Sequence, residues 1–128
     1  MHRPARVLVV DDHPAARRTA RALLEDVGMN LAVVCGEAEN GKLALEKVRR
    51  LQPDIVLLDI AMPEMDGVQA AYEIRRIAPN AKIIFFTVND SPEAASAAKI
   101  LGVEALVPKS SPARVLISTI QKIVTARS

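Results

Sequence analysis

The stretch PDIVLLDIAMPEMDG, residues 53–67, decides the architecture. Ile55, Val56, Leu57 and Leu58 stand between Asp54 and Asp59 without a polar interruption, the length and composition of a strand covered on both faces. The run stops at an aspartate, passes through a loop carrying Pro63, and reaches Asp66-Gly67, a capping carboxylate and a glycine at the head of a helical pattern. One unit therefore reads as buried strand, acidic end, loop and helix.

Outward from it the same unit recurs. Apolar runs lie at residues 7–10, 31–35 and 83–86, and a weaker fifth at 105–107 precedes Pro108 and Lys109. The segments between them have helical spacing. In the first, Ala16, Ala20, Leu23, Leu24 and Val27 share one side, with Arg17, Arg18, Arg21 and Glu25 opposite. The second gathers Ala44, Leu45, Val48 and Leu51, and the third Ala70, Ala71, Ile74 and Ile77. The fourth relies on Ala94, Ala95, Ala97, Ala98 and Leu101, and the fifth on Leu116, Ile117, Ile120, Ile123 and Val124. Ser91-Pro92 and Ser111-Pro112 each set a capping hydroxyl before a proline suited to the first helical position. Gly28, Gly102 and Pro79 follow helix ends, and Arg49-Arg50 and Arg75-Arg76 fall in last turns, where cations complement the helix dipole. Strict strand–helix alternation predicts an α/β fold, an open, doubly wound, five-stranded parallel sheet with right-handed crossovers and helices on both faces.

Composition narrows the function. A chain of 128 residues has the size of one domain, and half its residues are hydrophobic. The net charge of +2 comes from 17 basic and 15 acidic residues mixed along the chain, so no basic nucleic-acid footprint is read. The three aromatics, Tyr72, Phe85 and Phe86, are not interleaved with basic residues as a base-stacking surface requires. Cys35 is alone, which excludes an intrachain disulfide and points to a reducing, cytoplasmic compartment. No apolar run approaches the roughly 20 residues needed to cross a bilayer, so no membrane partner is expected.

In a sheet of this kind ligands bind at the carboxyl ends of the strands. The first run ends in Asp11-Asp12, the third in Asp59, the fourth in Thr87, and Lys109 follows the fifth. Each residue alone has a plain structural explanation, as a helix cap, a strand end or a solvated loop charge. Their joint placement at strand ends points to one site. Two carboxylates about 4 Å apart repel by roughly 4 kcal/mol at an effective dielectric of about 20, so three together need a compensating cation. Magnesium suits one or two carboxylates plus water and a phosphate oxygen. His13, beside a proline, is assigned to the helix start with no catalytic or metal role.

The segments VLVVDDHP (7–14), EAENGKLALE (37–46), PDIVLLDIAMPEMDG (53–67), KIIFFT (82–87) and ALVPKSS (105–111) resemble the receiver domain of two-component response regulators, over nearly the whole chain. The DDHP and KSSP spellings are most similar to receivers that precede a helix-turn-helix DNA-binding domain. The resemblance implies a flavodoxin-like (βα)5 fold with strand order 2-1-3-4-5, and one receiver domain over residues 1–128 with no output domain. It implies Asp59 as the phosphoacceptor, taking a phosphoryl group from the phosphohistidine of a sensor histidine kinase. Asp12, Asp59 and the backbone carbonyl of Ala61 would ligate Mg2+ directly and Asp11 through water. Lys109 would meet the phosphoryl oxygens and Thr87 would hydrogen-bond one of them. Output, and possible homodimerisation, would use the face of the fourth helix, fifth strand and fifth helix. DNA would be reached only through an output domain absent from this chain.

Two positions depart from the family pattern. Leu106 stands where receivers usually carry an aromatic residue, and Val88 where the residue is usually small. The rival reading is a receiver-like interaction module that signals without phosphorylation. A haloacid-dehalogenase-type phosphatase would need a carboxylate at Ala61. A dinucleotide or flavin binder would need a glycine-rich turn where Asp11-Asp12 stands.

Overall fold

The computed structural model describes residues 3–25 and 30–126. Strands and helices alternate as β1 (Ala5–Val10), α1 (Pro14–Glu25), β2 (Ala32–Ala38), α2 (Gly41–Leu51), β3 (Ile55–Leu58), α3 (Gly67–Ile77), β4 (Lys82–Thr87), α4 (Pro92–Leu101), β5 (Ala105–Pro108) and α5 (Ala113–Ala126). All strand pairs are parallel and the sheet order is β2-β1-β3-β4-β5.

The two-residue period of the strands divides the core. Leu8, Val10, Val56, Leu58, Ile83 and Phe85 face one side, where Ala44 and Val48 of α2, Ala70, Ala71 and Ile74 of α3, and Ala94 and Ala98 of α4 pack on them. Their neighbours Val7, Val9, Ile55, Leu57 and Ile84 face the other, covered by Ala20 and Leu24 of α1 and by Leu116, Ile120, Ile123 and Val124 of α5. An unbroken aliphatic run is what a strand buried on both faces requires, since every residue meets one apolar layer or the other.

The caps at Ser91 and Asp66 form as expected. The Ser91 hydroxyl accepts from the Ala94 amide and the Asp66 carboxylate from the Gln69 amide. Gly102 closes α4 with φ +68°, a left-handed conformation that glycine adopts without strain. The paired arginines lie in the last turns of α2 and α3. Val27 and Gly28 lie outside the described residues.

Three local expectations are corrected. β2 runs to Ala38 rather than ending at Cys35, because edge pairing with β1 carries it through Gly36 and Glu37, past a register shift between Val7 and Leu8. An apolar-run reading misses this because an edge strand is only half covered. α5 begins at Ala113, so Pro112 precedes the helix instead of opening it. In α4 only Ala94 and Ala98 are buried. Ala95 faces outward, and Ile100 is 82% exposed.

Candidate functional site

Backbone hydrogen bonds that continue the sheet just past its ends aim the polar residues. The Asp11 amide donates to the Ala38 carbonyl (3.0 Å), the Asp59 amide to the Val10 carbonyl (3.0 Å) and the Lys109 amide to the Thr87 carbonyl (2.8 Å). Each side chain thus leaves the sheet at the carboxyl edge with its main chain held by the neighbouring strand. Asp11, Asp59 and Thr87 are the buried polar residues among those described.

Asp11, Asp12, His13 and Asp59 each bring a ligand atom to within 4.8 Å of all the others. The Lys109 ammonium donates to Asp11 Oδ2 at 2.5 Å and lies 3.5 Å from Asp59 Oδ2. A lysine 98 positions away in the chain is therefore the counter-charge for two buried carboxylates. Asp11 Oδ1 accepts from the His13 amide (3.0 Å), and the Asp11 carbonyl accepts from Arg17 Nη1 (2.7 Å), which fixes the turn into α1.

Asp59 Oδ1 is buried and has no hydrogen-bond partner, and the same holds for Asp12 Oδ1. A buried carboxylate oxygen without a partner costs on the order of 1–3 kcal/mol or more. Such oxygens, on residues whose ligand atoms converge within 4.8 Å, fit a divalent cation. The donor set is almost entirely oxygen, as a hard ion such as Mg2+ requires.

Thr87 is fully buried on β4, the strand beside β3. Its Oγ1 accepts from the Asn89 amide (3.1 Å), which leaves the hydroxyl hydrogen available to donate. Ala61 is exposed in the loop two residues after Asp59. Gly67 closes that loop, its amide donating to the Ile60 carbonyl at 2.8 Å. A Cβ at Gly67 would lie 2.2 Å from the Asp59 carbonyl oxygen, so only glycine allows the approach.

Sequence reasoning set His13 aside, yet its Nδ1 lies 3.1 Å from Asp12 Oδ1 and 3.4 Å from Asp11 Oδ1. The available signal was three consecutive potential ligands, Asp11-Asp12-His13, in one turn before Pro14. Leu106 packs against the core on the α2–α4 side, and Val88, immediately after β4, is 75% exposed. Among the described residues no helix is long and apolar enough to cross a membrane.

The chain is similar to chemotaxis protein CheY of Thermotoga maritima, 49% identical over 79 residues that cover 62% of this chain and 63% of CheY. It is 37% identical to the nitrate/nitrite response regulator protein NarP of Escherichia coli over 119 residues, 92% of this chain and 54% of NarP. The chain thus spans only about half to two thirds of the length of these relatives. Among solved structures, a LuxR-family two-component response regulator from Aurantimonas superposes with a TM-score of 0.88 at 32% identity, covering 96% of this chain and 86% of the other. The family model for the response regulator receiver domain matches residues 7–121. With the sheet order, the acidic carboxyl edge and this match in agreement, the chain belongs to the response regulator receiver domain family.

Proposed function

We propose that this receiver domain takes a phosphoryl group onto Asp59 from the phosphohistidine of a sensor histidine kinase. The observation that carries the reading is the convergence of Asp11, Asp12 and Asp59 within 4.8 Å, with a buried, unpartnered Asp59 oxygen and Lys109 alongside. Mg2+ would be held directly by Asp12, Asp59 and the Ala61 backbone carbonyl, and by Asp11 through water. When bound, the ion neutralises negative charge on the carboxylates and on the phosphoryl oxygens.

The remaining chemistry belongs to the chain. An Asp59 carboxylate oxygen forms a bond to phosphorus as the phosphorus–nitrogen bond of the donor breaks, leaving an aspartyl phosphate and a free imidazole. Lys109, held between Asp11 and Asp59, reaches an oxygen of the incoming group, and the Thr87 hydroxyl donates to another. Positioning and charge neutralisation suffice for such a transfer, and no general base is needed.

Residues 1–128 act as one receiver unit in this reading. Its output face is α4, β5 and α5, which is also the candidate homodimer surface. Control of transcription, and any contact with DNA, are assigned to a separate output domain in the parent protein. Incubation with magnesium and a small acyl phosphate, followed by intact mass, tests the acceptor. The chain should gain one phosphoryl group and the Asp59→Asn variant none. Equal labelling of the variant overturns the assignment of Asp59. No labelling of either protein favours an interaction module that signals without phosphorylation.

A further inference from the structure

We propose that His13 is a nitrogen ligand through which the acidic cluster takes a first-row transition cation of the zinc(II) or cobalt(II) type, in competition with magnesium. The inference rests on the reading of Asp11, Asp12 and Asp59 as a divalent-cation site and adds the determinant of which cation it prefers.

His13 is held by its backbone. Its amide donates to Asp11 Oδ1 (3.0 Å), its carbonyl accepts from the Arg17 amide (3.1 Å), and Pro14 restricts it from the other side. The side chain is 70% exposed, so the ring serves no core. Its Nδ1 nevertheless lies 3.1 Å from Asp12 Oδ1. That contact lacks hydrogen-bond geometry, since Asp12 Oδ1 has no hydrogen-bond partner. Two ligand atoms at that separation without a shared hydrogen have the arrangement of neighbouring ligands on a third atom.

The spacing agrees with such an ion. Metal–ligand bonds of about 2.1 Å in an octahedron place adjacent donors about 3 Å apart and opposite donors about 4.2 Å apart. The His13 nitrogen stands 3.1 Å from Asp12 Oδ1 and 3.4 Å from Asp11 Oδ1, the latter a hydrogen bond that a bound cation would replace, and the whole set lies within 4.8 Å, so that an ion would draw it in slightly. Asp59, whose side chain is 5% exposed, contributes an oxygen with no other partner.

Donor chemistry then gives the preference. Carboxylate, carbonyl and water suit magnesium, which dehydrates reluctantly and gains little from an imidazole. Zinc(II), cobalt(II) and nickel(II) bind imidazole well, and their affinities for a mixed nitrogen–oxygen set exceed those of the harder ions. One exposed side chain thereby discriminates between two classes of cation at the position beside Asp59.

The test uses the full 128-residue chain carrying His2→Ala, so that His13 is the sole histidine. Cobalt(II) is titrated by its visible absorption, zinc(II) by its displacement of cobalt(II) and magnesium by calorimetry, for this protein and for its His13→Ala and His13→Gln derivatives, and the ring nitrogens of the His13-containing protein are followed by NMR. The expected result is a loss of about tenfold or more in cobalt(II) and zinc(II) affinity in both derivatives, with magnesium affinity changed by less than about threefold. The ring Nδ1 resonance should shift on zinc binding. Equal losses for magnesium and cobalt(II) would show that His13 acts only through Asp12, and no loss for either would show that the ring is not a ligand. Each overturns the proposal, as does a parent chain that binds no cobalt(II). A chain that binds neither class of ion instead refutes the magnesium site on which the proposal rests.

Discussion

At Val88 a β-branched side chain stands directly after Thr87, where it has few rotamers with which to move aside. Packing against α4 would have given it a purely structural role, but it is 75% exposed, so the solvent-facing position leaves access to the site as its testable effect. A kinase can align its phosphohistidine with binding energy from remote contacts, whereas a small acyl phosphate has little such energy to use. Val88→Ala should therefore speed labelling by a small donor while changing stability by no more than about 0.5 kcal/mol. Equal labelling rates for the two proteins at saturating magnesium would discard the gate. Val88 was legible in the sequence as a departure from a pattern, but its exposure was not, because burial depends on what α4 brings to it.

At the scale of the element, the β3–α3 loop shows how a turn sets the position of a side chain. The Gly67 amide holds the Ile60 carbonyl, and the absent Cβ lets α3 start against the Asp59 backbone. Gly67→Ala must push that backbone away, at a cost of about 3 kcal/mol or somewhat less, and should slow labelling of Asp59 as well as lower the denaturation midpoint. The exposed edge of β2 is secured differently. Glu37 accepts from Arg17 (3.2 Å) and Arg21 (2.7 Å) of α1, and its carbonyl accepts from the Lys47 ammonium of α2. The hydrogen bond from Arg21 holds the Glu37 carboxyl below its ordinary value, against the opposing effect of partial burial. A lowered folded-state value means that the stabilisation is present above the ordinary carboxylate range and is lost as pH falls through the folded value. Arg21→Ala should cost about 0.5–1 kcal/mol at about pH 7, with the difference from the parent shrinking in urea denaturation as pH falls through the lowered folded-state value of Glu37. The sequence places Arg17 and Arg21 on the polar side of α1, as found. Their convergence on Glu37 depends on β2 extending past its apolar run.

For the whole molecule, the carboxyl edge gathers negative charge that Lys109 balances in part. A divalent cation that binds the folded chain and not the unfolded one stabilises it by mass action, about 2.7 kcal/mol at a hundred times its dissociation constant. Magnesium should thus raise the melting temperature, and Asp12→Ala should remove most of that rise. A rise that survives the substitution would place the ion elsewhere. The same edge shows where local reasoning stops. Alternation of strands and helices, their caps, the two-sided burial of the inner strands and the polar residues at strand ends are local in origin. Each follows from a period of two or 3.6 and from which side chain ends a run, so the amino-acid sequence by itself determined them. The order β2-β1-β3-β4-β5 came from a family resemblance rather than from any residue pattern, because strand adjacency is a choice among long-range pairings that period alone does not distinguish. Only the tertiary structure decided that Lys109 bonds Asp11 across 98 positions, that His13 turns its ring nitrogen toward the carboxylates, and that β2 continues through Glu37. Those outcomes depend on atoms brought together by the packing of both helical layers on the sheet, and such contacts leave no period in the chain.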